Sequence, residues 1–325
     1  MLRFGTDCTG IDAPLWALRK ILGAKGFKDK VDYKFASDID PKNVSTILSQ
    51  KEVPLPRRVF GDLTKRDHRG LPKLDVYVAG FPCQPFSLLG KREAHNDKRA
   101  GVLDHIIETI VCCNPKIIVL ENVSNLINDS SMYSGYTSKI CKLRDKYTIS
   151  EGVLNSTDYG SVQIRNRYYL LGVRKDLIKC NGIRWPPKRK RSPGNFESHL
   201  EESVIEEPFR GSLKTLNSSL NKIKERGGSP RKENWVFPTT VSEGWIQIPD
   251  RPDRVPTMTR THTHDLWVTS RNRFITPEEA LSIQGFPSTF IRHPSSSVTY
   301  AQVGNSMSIH TVRAVLEEGL RAIGK

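Results

Sequence analysis

Leu74-Asp75-Val76-Tyr77-Val78-Ala79-Gly80-Phe81-Pro82-Cys83-Gln84-Pro85-Phe86-Ser87-Leu88 decides the reading of this chain. The first six residues are a short apolar run rich in β-branched and aromatic side chains, the pattern of a buried strand. Gly80, Pro82 and Pro85 end it. Cys83 then stands at the carboxyl end of a strand, where open α/β sheets bind their ligands. Prolines on both sides restrict the backbone and give the sulfur a defined direction. The ordinary use of a free cysteine is as a small buried hydrophobe; the alternative here is a nucleophile.

Two further segments bear on that choice. Asn114-Pro115-Lys116-Ile117-Ile118-Val119-Leu120-Glu121-Asn122-Val123 is a second apolar run, and it ends on the carboxylate of Glu121. Gln163-Ile164-Arg165-Asn166-Arg167-Tyr168-Tyr169-Leu170-Leu171 alternates polar residues into an apolar strand, which places Gln163, Arg165 and Arg167 on one face. Cysteine, glutamate and arginine in one pocket suit attack on an electron-poor heterocycle. The thiolate adds, the acid protonates or hydrogen-bonds the ring, and the arginine orients it.

The amino-terminal half alternates strands and helices, so a mostly parallel sheet is expected. Residues 2–8 read as a first strand and residues 14–22 as a helix with Asp12 as candidate cap. Residues 33–37 form a second strand, followed by Asp38. The turn at Gly10 has one glycine, not the fingerprint that brings backbone against a pyrophosphate. Residues 309–323 read as an amphipathic helix that packs back on this half.

Taken in order, these segments resemble the motifs of DNA (cytosine-5)-methyltransferases. The nucleophile loop is 80–87, the acid motif Glu121-Asn122-Val123, and the arginine motif Gln163-x-Arg165-x-Arg167. Two late motifs follow, Leu281-Ser282-Ile283-Gln284-Gly285-Phe286-Pro287 and Gln302-Val303-Gly304-Asn305-Ser306-Met307. The resemblance covers nearly the whole chain. It implies an α/β fold, a Rossmann-like methyltransferase sheet flanked by helices. Residues 1–173 and 271–325 would form a discontinuous catalytic domain, with a smaller target-recognition domain inserted at 174–270. It implies S-adenosylmethionine as methyl donor, S-adenosylhomocysteine as product, and double-stranded DNA as partner. The implied catalytic set is Cys83, Glu121 and Arg165, braced by Asn122 and Arg167. The implied cofactor contacts are Cys8, Thr9, Gly10, Ile11, Asp38, Ile39, Asp62, Leu63, Pro82, Leu103, Asn305 and Ser306. The chain departs from the family where Cys8 replaces a phenylalanine, Asp12 and Ala13 replace glycines, and Ile39 replaces an aromatic.

Three other readings stay open on sequence. An RNA cytosine methyltransferase shares the fold, but its characteristic Cys-Phe-Thr segment is missing here. A silent DNA-binding homologue would not need Cys83, Glu121 and Arg165 intact. A dehydrogenase would need the missing glycine fingerprint.

Composition agrees with a polyanionic partner: 50 lysines and arginines against 35 acids give a net charge of +15 over 325 residues. Six cysteines without paired CxxC spacing are expected as reduced thiols in an intracellular, non-secreted protein, with no zinc site. His262 and His264 lack companion ligands, so no metal is expected there. The segment 89–101 reads as a mobile loop, and Pro187-Lys188-Arg189-Lys190-Arg191 as a phosphate contact, a solvated loop or a nuclear import signal. Arg260 to His264 and Arg271 to Arg273 are candidate DNA contacts. Trp185, Trp235, Phe237, Trp245 and Trp267 are expected to give the middle region a small core. Relatives of this length commonly act as monomers, and a cognate restriction endonuclease is a partner the resemblance leaves open.

Overall fold

A computed structural model describes residues 1–82, 101–179, 182–188, 194–202, 208–241 and 247–325. Cys83, nearly all of the 89–101 loop, Arg189 to Arg191 and Trp245 lie outside the described residues.

The chain divides into two compact units, Met1–Leu154 with Asn166–Pro187 and Thr311–Lys325, and Asn155–Arg165 with Lys188–His310. The first is built on strands β1 (Leu2–Asp7), β2 (Val31–Ser37), β3 (Arg58–Phe60), β4 (Val76–Gly80), β5 (Ile117–Val123), β6 (Tyr147–Asn155) and β7 (Asn166–Arg174). Their order in the sheet is β3-β2-β1-β4-β5-β7-β6. β1 pairs in parallel with β2 and β4, β2 with β3, and β4 with β5, whereas β7 runs antiparallel to β5. Strand order reverses between β1 and β4, so the carboxyl ends of these strands open a crevice at the switch point.

Helices α1 (Ala13–Leu22), α2 (Pro41–Leu48), α3 (Val102–Cys113) and α4 (Ser130–Ile140) belong to this unit. α2 starts where sequence would start it: the Asp40 carboxylate accepts from Lys42 N at 2.9 Å, and Pro41 occupies the first turn. Asn114, in the left-handed region, stops α3. One face of the sheet is closed by Phe35, Tyr77, Ile106, Ile110, Leu120 and Tyr136, all fully buried.

The second unit contains α5 (Leu213–Glu225) and an antiparallel sheet of β8 (Val236–Pro238), β9 (Leu266–Val268) and β10 (Arg273–Phe274). α6 (Pro277–Gln284) begins with a capping box between Thr276 and Glu279, and α7 (Ser296–Asn305) follows. Ile223, Trp235, Phe237, Trp267 and Phe274 make its small core. Trp185 is not part of it: this indole sits in the first unit against Gly152. The unit differs from the expected 174–270: residues 174–187 belong to the first unit, while 155–165 and 271–310 belong to this one, because residues of the arginine motif and of the late motifs bond to each other within it.

Helix α8 (Ile309–Ala322) starts in the second unit and runs on into the first. There Tyr169 and Thr311 hydroxyls meet at 2.7 Å. A Cβ on Gly319 would stand 2.8 Å from Ile117 Cγ2 and 3.1 Å from Leu171 Cδ1, so the helix lies against β5 and β7 at a separation only glycine allows. Gly319→Val is expected to lower stability by about 1–3 kcal/mol through overpacking. The check is the urea midpoint; an unchanged or higher midpoint would refute so close a seat.

Candidate active site

The crevice is lined first by the turn after β1. Cys8, Gly10 and Asp12 all have positive φ, at 50°, 59° and 64°. Such a turn favours glycine, yet two of the three residues carry side chains. The turn is fastened to the end of β2. Thr9 N donates to Ser37 O at 3.0 Å, and Gly10 N donates to Asp38 Oδ2 at 2.7 Å. Asp38 Oδ1 also accepts from Asp40 N at 2.9 Å and Asn43 Nδ2 at 3.0 Å. A carboxylate offers about four acceptor positions, so one remains. Burial raises the Asp38 pKa against these donors. Ile39, next along, is 77 % exposed. Asp62 follows β3 and accepts from both Thr64 N and Oγ1, which holds its carboxyl below the usual range. Ile11, Leu63 and Leu103 are buried, Leu103 within the sheet's core.

Under the crevice lies a buried ion pair that the sequence reading did not single out. Arg66 Nη1 and Nη2 donate to the two oxygens of Asp7 at 2.8 and 2.7 Å, and Tyr77 Oη donates to Oδ2 at 2.7 Å. An acid closing an apolar strand was the available signal.

The acid and its neighbour come from β5. Glu121 is in register with Gly80 of β4, three residues before Cys83, and with Tyr169 of β7. Its Oε1 lies 3.4 Å from Arg167 Nε, and both side chains keep a little exposure. Asn122 points the other way and is buried. Its Nδ2 donates to Phe81 O at 3.1 Å, and its Oδ1 accepts from Val123 N at 2.8 Å. The amide therefore clamps the backbone two residues before Cys83. Pro82 is half-buried beside it.

Arg165 belongs to the second unit. It is 2 % exposed, and its guanidinium donates to three backbone carbonyls: Met258 at 2.7 Å, Gly304 at 3.1 Å and Ser306 at 2.8 Å. Gln163 Nε2 donates to Gln284 Oε1 at 2.6 Å, Gln163 Oε1 accepts from Met258 N at 3.1 Å, and Gln284 Nε2 donates to Ser306 O at 2.7 Å. A Cβ on Gly304 would fall 2.2 Å from the Thr259 carbonyl carbon, so the motif glycine lets this backbone close in. Asn305 is exposed and Ser306 buried. The expected common face of Gln163, Arg165 and Arg167 is thus divided: Gln163 and Arg165 stitch the second unit, while Arg167 pairs with Glu121 in the first.

Among the candidate DNA contacts, Arg260 and His264 are exposed. Arg273 is not available: it pairs with buried Glu279 at 2.6 and 2.9 Å. Arg271 pairs with Glu197. His262 Nδ1 lies 3.4 Å from Asp265 Oδ2. It lines a cleft of about 420 Å³ with Thr240, Gln247, Thr257 and Thr259. The four described cysteines, Cys8, Cys112, Cys113 and Cys141, are free thiols. No helix among the described residues is long and apolar enough to cross a membrane.

Asp12 does not cap α1 with its side chain, as was expected. The left-handed backbone turns its carboxyl inward, where neither oxygen finds a partner of ordinary hydrogen-bond geometry. Burial pushes this carboxyl up to about 7, offset only in part by the Tyr33 hydroxyl and the Leu15 amide. An unfolded aspartate loses its proton near pH 4, so the folded state holds an extra proton between about pH 4 and 7. Stability from this group is therefore lost as pH rises through that window, by an amount on the order of 4 kcal/mol. In Asp12→Asn that fall should vanish from denaturation midpoints measured across pH 4–8; a parallel pair of curves would refute the assignment. Arg165→Lys should cost about 2–4 kcal/mol by leaving buried carbonyls unpaired, against under about 1 for Arg167→Lys. Equal losses in urea melts would contradict the division of roles.

A family profile described as C-5 cytosine-specific DNA methylase matches residues 21–321. Type II methyltransferase M1.ScrFI of Lactococcus lactis subsp. cremoris is 28 % identical over 306 residues, covering 91 % of this chain and 74 % of that protein. Type II methyltransferase M.HhaI of Haemophilus parahaemolyticus is 27 % identical over 274 residues, covering 78 % of each. The solved S. pombe Dnmt2 methyltransferase superposes with a TM-score of 0.67 over 100 % of both chains at 19 % identity, which establishes the shared fold. With a matching profile along nearly its full length, the crevice at the switch point and the Glu121-Asn122 strand end, this chain belongs to the C-5 cytosine-specific DNA methylase family and is a DNA cytosine-5-methyltransferase.

Proposed function

We propose that this chain takes up a cytosine flipped out of duplex DNA and attacks its carbon 6 with the Cys83 thiolate. Flipping costs a few kcal/mol of unstacking, which the basic protein recovers through phosphate contacts. Carbon 5 of cytosine is too weakly nucleophilic to be alkylated unaided. Addition of sulfur at carbon 6, with a proton held at ring nitrogen 3 by Glu121, makes carbon 5 enamine-like. S-adenosylmethionine, when bound, supplies the electrophilic methyl group. Loss of the carbon-5 proton then re-forms the ring double bond and expels the Cys83 thiolate.

The observation that supports this reading is the pairing of roles at the end of β5. Glu121 stands in register with the strand that leads to Cys83, and Asn122 clamps Phe81 O. Arg167 beside Glu121 can orient its carboxyl group. Arg165 acts at a distance, as a positioning residue that fixes the backbone of Gly304 and Ser306.

The residues around the first crevice fit the family's cofactor. Asp38 retains one acceptor position, Asp62 offers a carboxylate to an amino group, and exposed Ile39 offers an apolar face. Open space lies where Gly10 and Gly61 would carry a Cβ. Asp38, Ile39, Asp62 and the Cys8 to Ile11 turn would hold the nucleoside. Base reading falls to the second unit, whose cleft offers the hydrogen-bonding groups of Thr240, Gln247 and His262. The chain is read as an intracellular monomer that modifies one short sequence context, with a cognate endonuclease as biological partner.

Purified protein incubated with unmethylated genomic DNA and S-adenosylmethionine should protect cytosines in one short context from bisulfite conversion. Cys83→Ala should abolish protection while retaining cofactor binding, and Glu121→Gln should slow transfer at least 10²-fold. Undiminished turnover in Cys83→Ala would sink the mechanism; protection on RNA alone would replace the substrate.

A further inference from the structure

A second chemical site lies in the first unit. His68, on the segment after β3, faces His105 and Glu108 of α3. His68 Nε2 is 3.1 Å from His105 Nδ1, and Glu108 Oε2 is 3.7 Å from each of those nitrogens. Among the described residues these three side chains form the group able to converge on one ion. Tetrahedral zinc with bonds of about 2.0–2.1 Å separates its ligand atoms by about 3.3 Å. A triangle of 3.1, 3.7 and 3.7 Å brackets that spacing without backbone movement.

The surroundings fix the protonation of the central ligand. Thr109 Oγ1 donates its one proton to His105 O at 2.8 Å and accepts from Arg66 Nη2 at 2.9 Å. His68 Nδ1, 3.0 Å from the same oxygen, must therefore donate to it. That leaves a lone pair on His68 Nε2, aimed at His105 and Glu108. Metal-ligating histidines are held in this way, with the distal ring nitrogen engaged by a second group. Arg66 is in turn locked by Asp7, so the orienting hydroxyl is itself positioned. Accessibility is graded: the His68 side chain is 2 % exposed, His105 31 % and Glu108 51 %, so one side of the triangle is open to an entering ion.

We propose that His68, His105 and Glu108 bind a divalent transition metal, zinc in the first instance, with solvent in the fourth position. Binding displaces the proton that His105 Nδ1 shares with His68 Nε2; that proton passes to water while His105 Nε2 takes one from water, so both rings ligate as neutral imidazoles. The ion joins the segment that carries Asp62 to the helix that carries Leu103, so it braces the nucleoside side of the crevice without entering the reaction. Spacing alone did not reveal it: His105 and Glu108 stand three apart on one helix face, an ordinary surface pairing, and His68 lies forty residues before Glu108.

The test uses the full chain, stripped with EDTA and titrated with Co²⁺ and with Zn²⁺. One equivalent should bind, with visible d–d bands and no thiolate-to-cobalt charge transfer. His105→Ala and Glu108→Gln, both at accessible positions and checked by circular dichroism, should each weaken Zn²⁺ at least 10-fold. Substoichiometric binding, Zn²⁺ affinity unchanged from the parent chain in either variant, or a thiolate charge-transfer band would overturn the site.

Discussion

The first unit depends on the buried pair of Asp7 and Arg66. Two charges placed out of water cost several kcal/mol each unless geometry and further hydrogen bonds offset that loss. Here the fork is bidentate, Tyr77 of β4 supplies another donor to Asp7, and Arg66 Nη2 donates a second bond to Thr109 of α3. The guanidinium carbon also lies over the rings of Phe35 and Phe60, 5.0 and 4.9 Å from their centroids. One arginine thus ties β1, β4, α3 and the end of β3 together, directly beneath the carboxyl ends of the strands. The charges are retained where an apolar core would suffice for packing, and their fixed directions set the floor of the crevice.

The second unit solves the same problem with neutral partners. Arg165 satisfies three carbonyls that no helix or sheet claims, and Gln163 and Gln284 complete the network. Such a network specifies one backbone arrangement because any shift leaves buried acceptors unpaired. The late motif containing Gly304 and Ser306 is held from outside itself, by residues far away in sequence.

Much of this was legible in the sequence, and the reason is local. Apolar runs ending on Gly80 and Glu121 read as parallel strands because their patterns need only a few neighbours to interpret. The assignment of Arg165 and Arg167 to one face failed at a particular point. β7 begins at Asn166, so the alternation was extended across the place where the chain passes from one unit to the other. Asp12 looked like a cap because aspartate before a helix usually is one, but a positive φ decides where its carboxyl goes. Asp7, Arg66 and His68 with His105 were illegible because their meaning lies wholly in long-range contacts. The departures at Cys8 and Asp12 were visible in the sequence, but that both residues take positive φ was not.

The glycine at position 319 carries a consequence for how this molecule is made. The strip of Ile117 and Leu171 that α8 covers stays bare until that helix arrives, after the whole second unit has left the ribosome. During that interval the nascent chain exposes an apolar sheet face, so chaperone occupancy is expected to end when the last segment docks. Synthesis rate across residues 188–310 of the second unit then governs how long the vulnerable face is displayed.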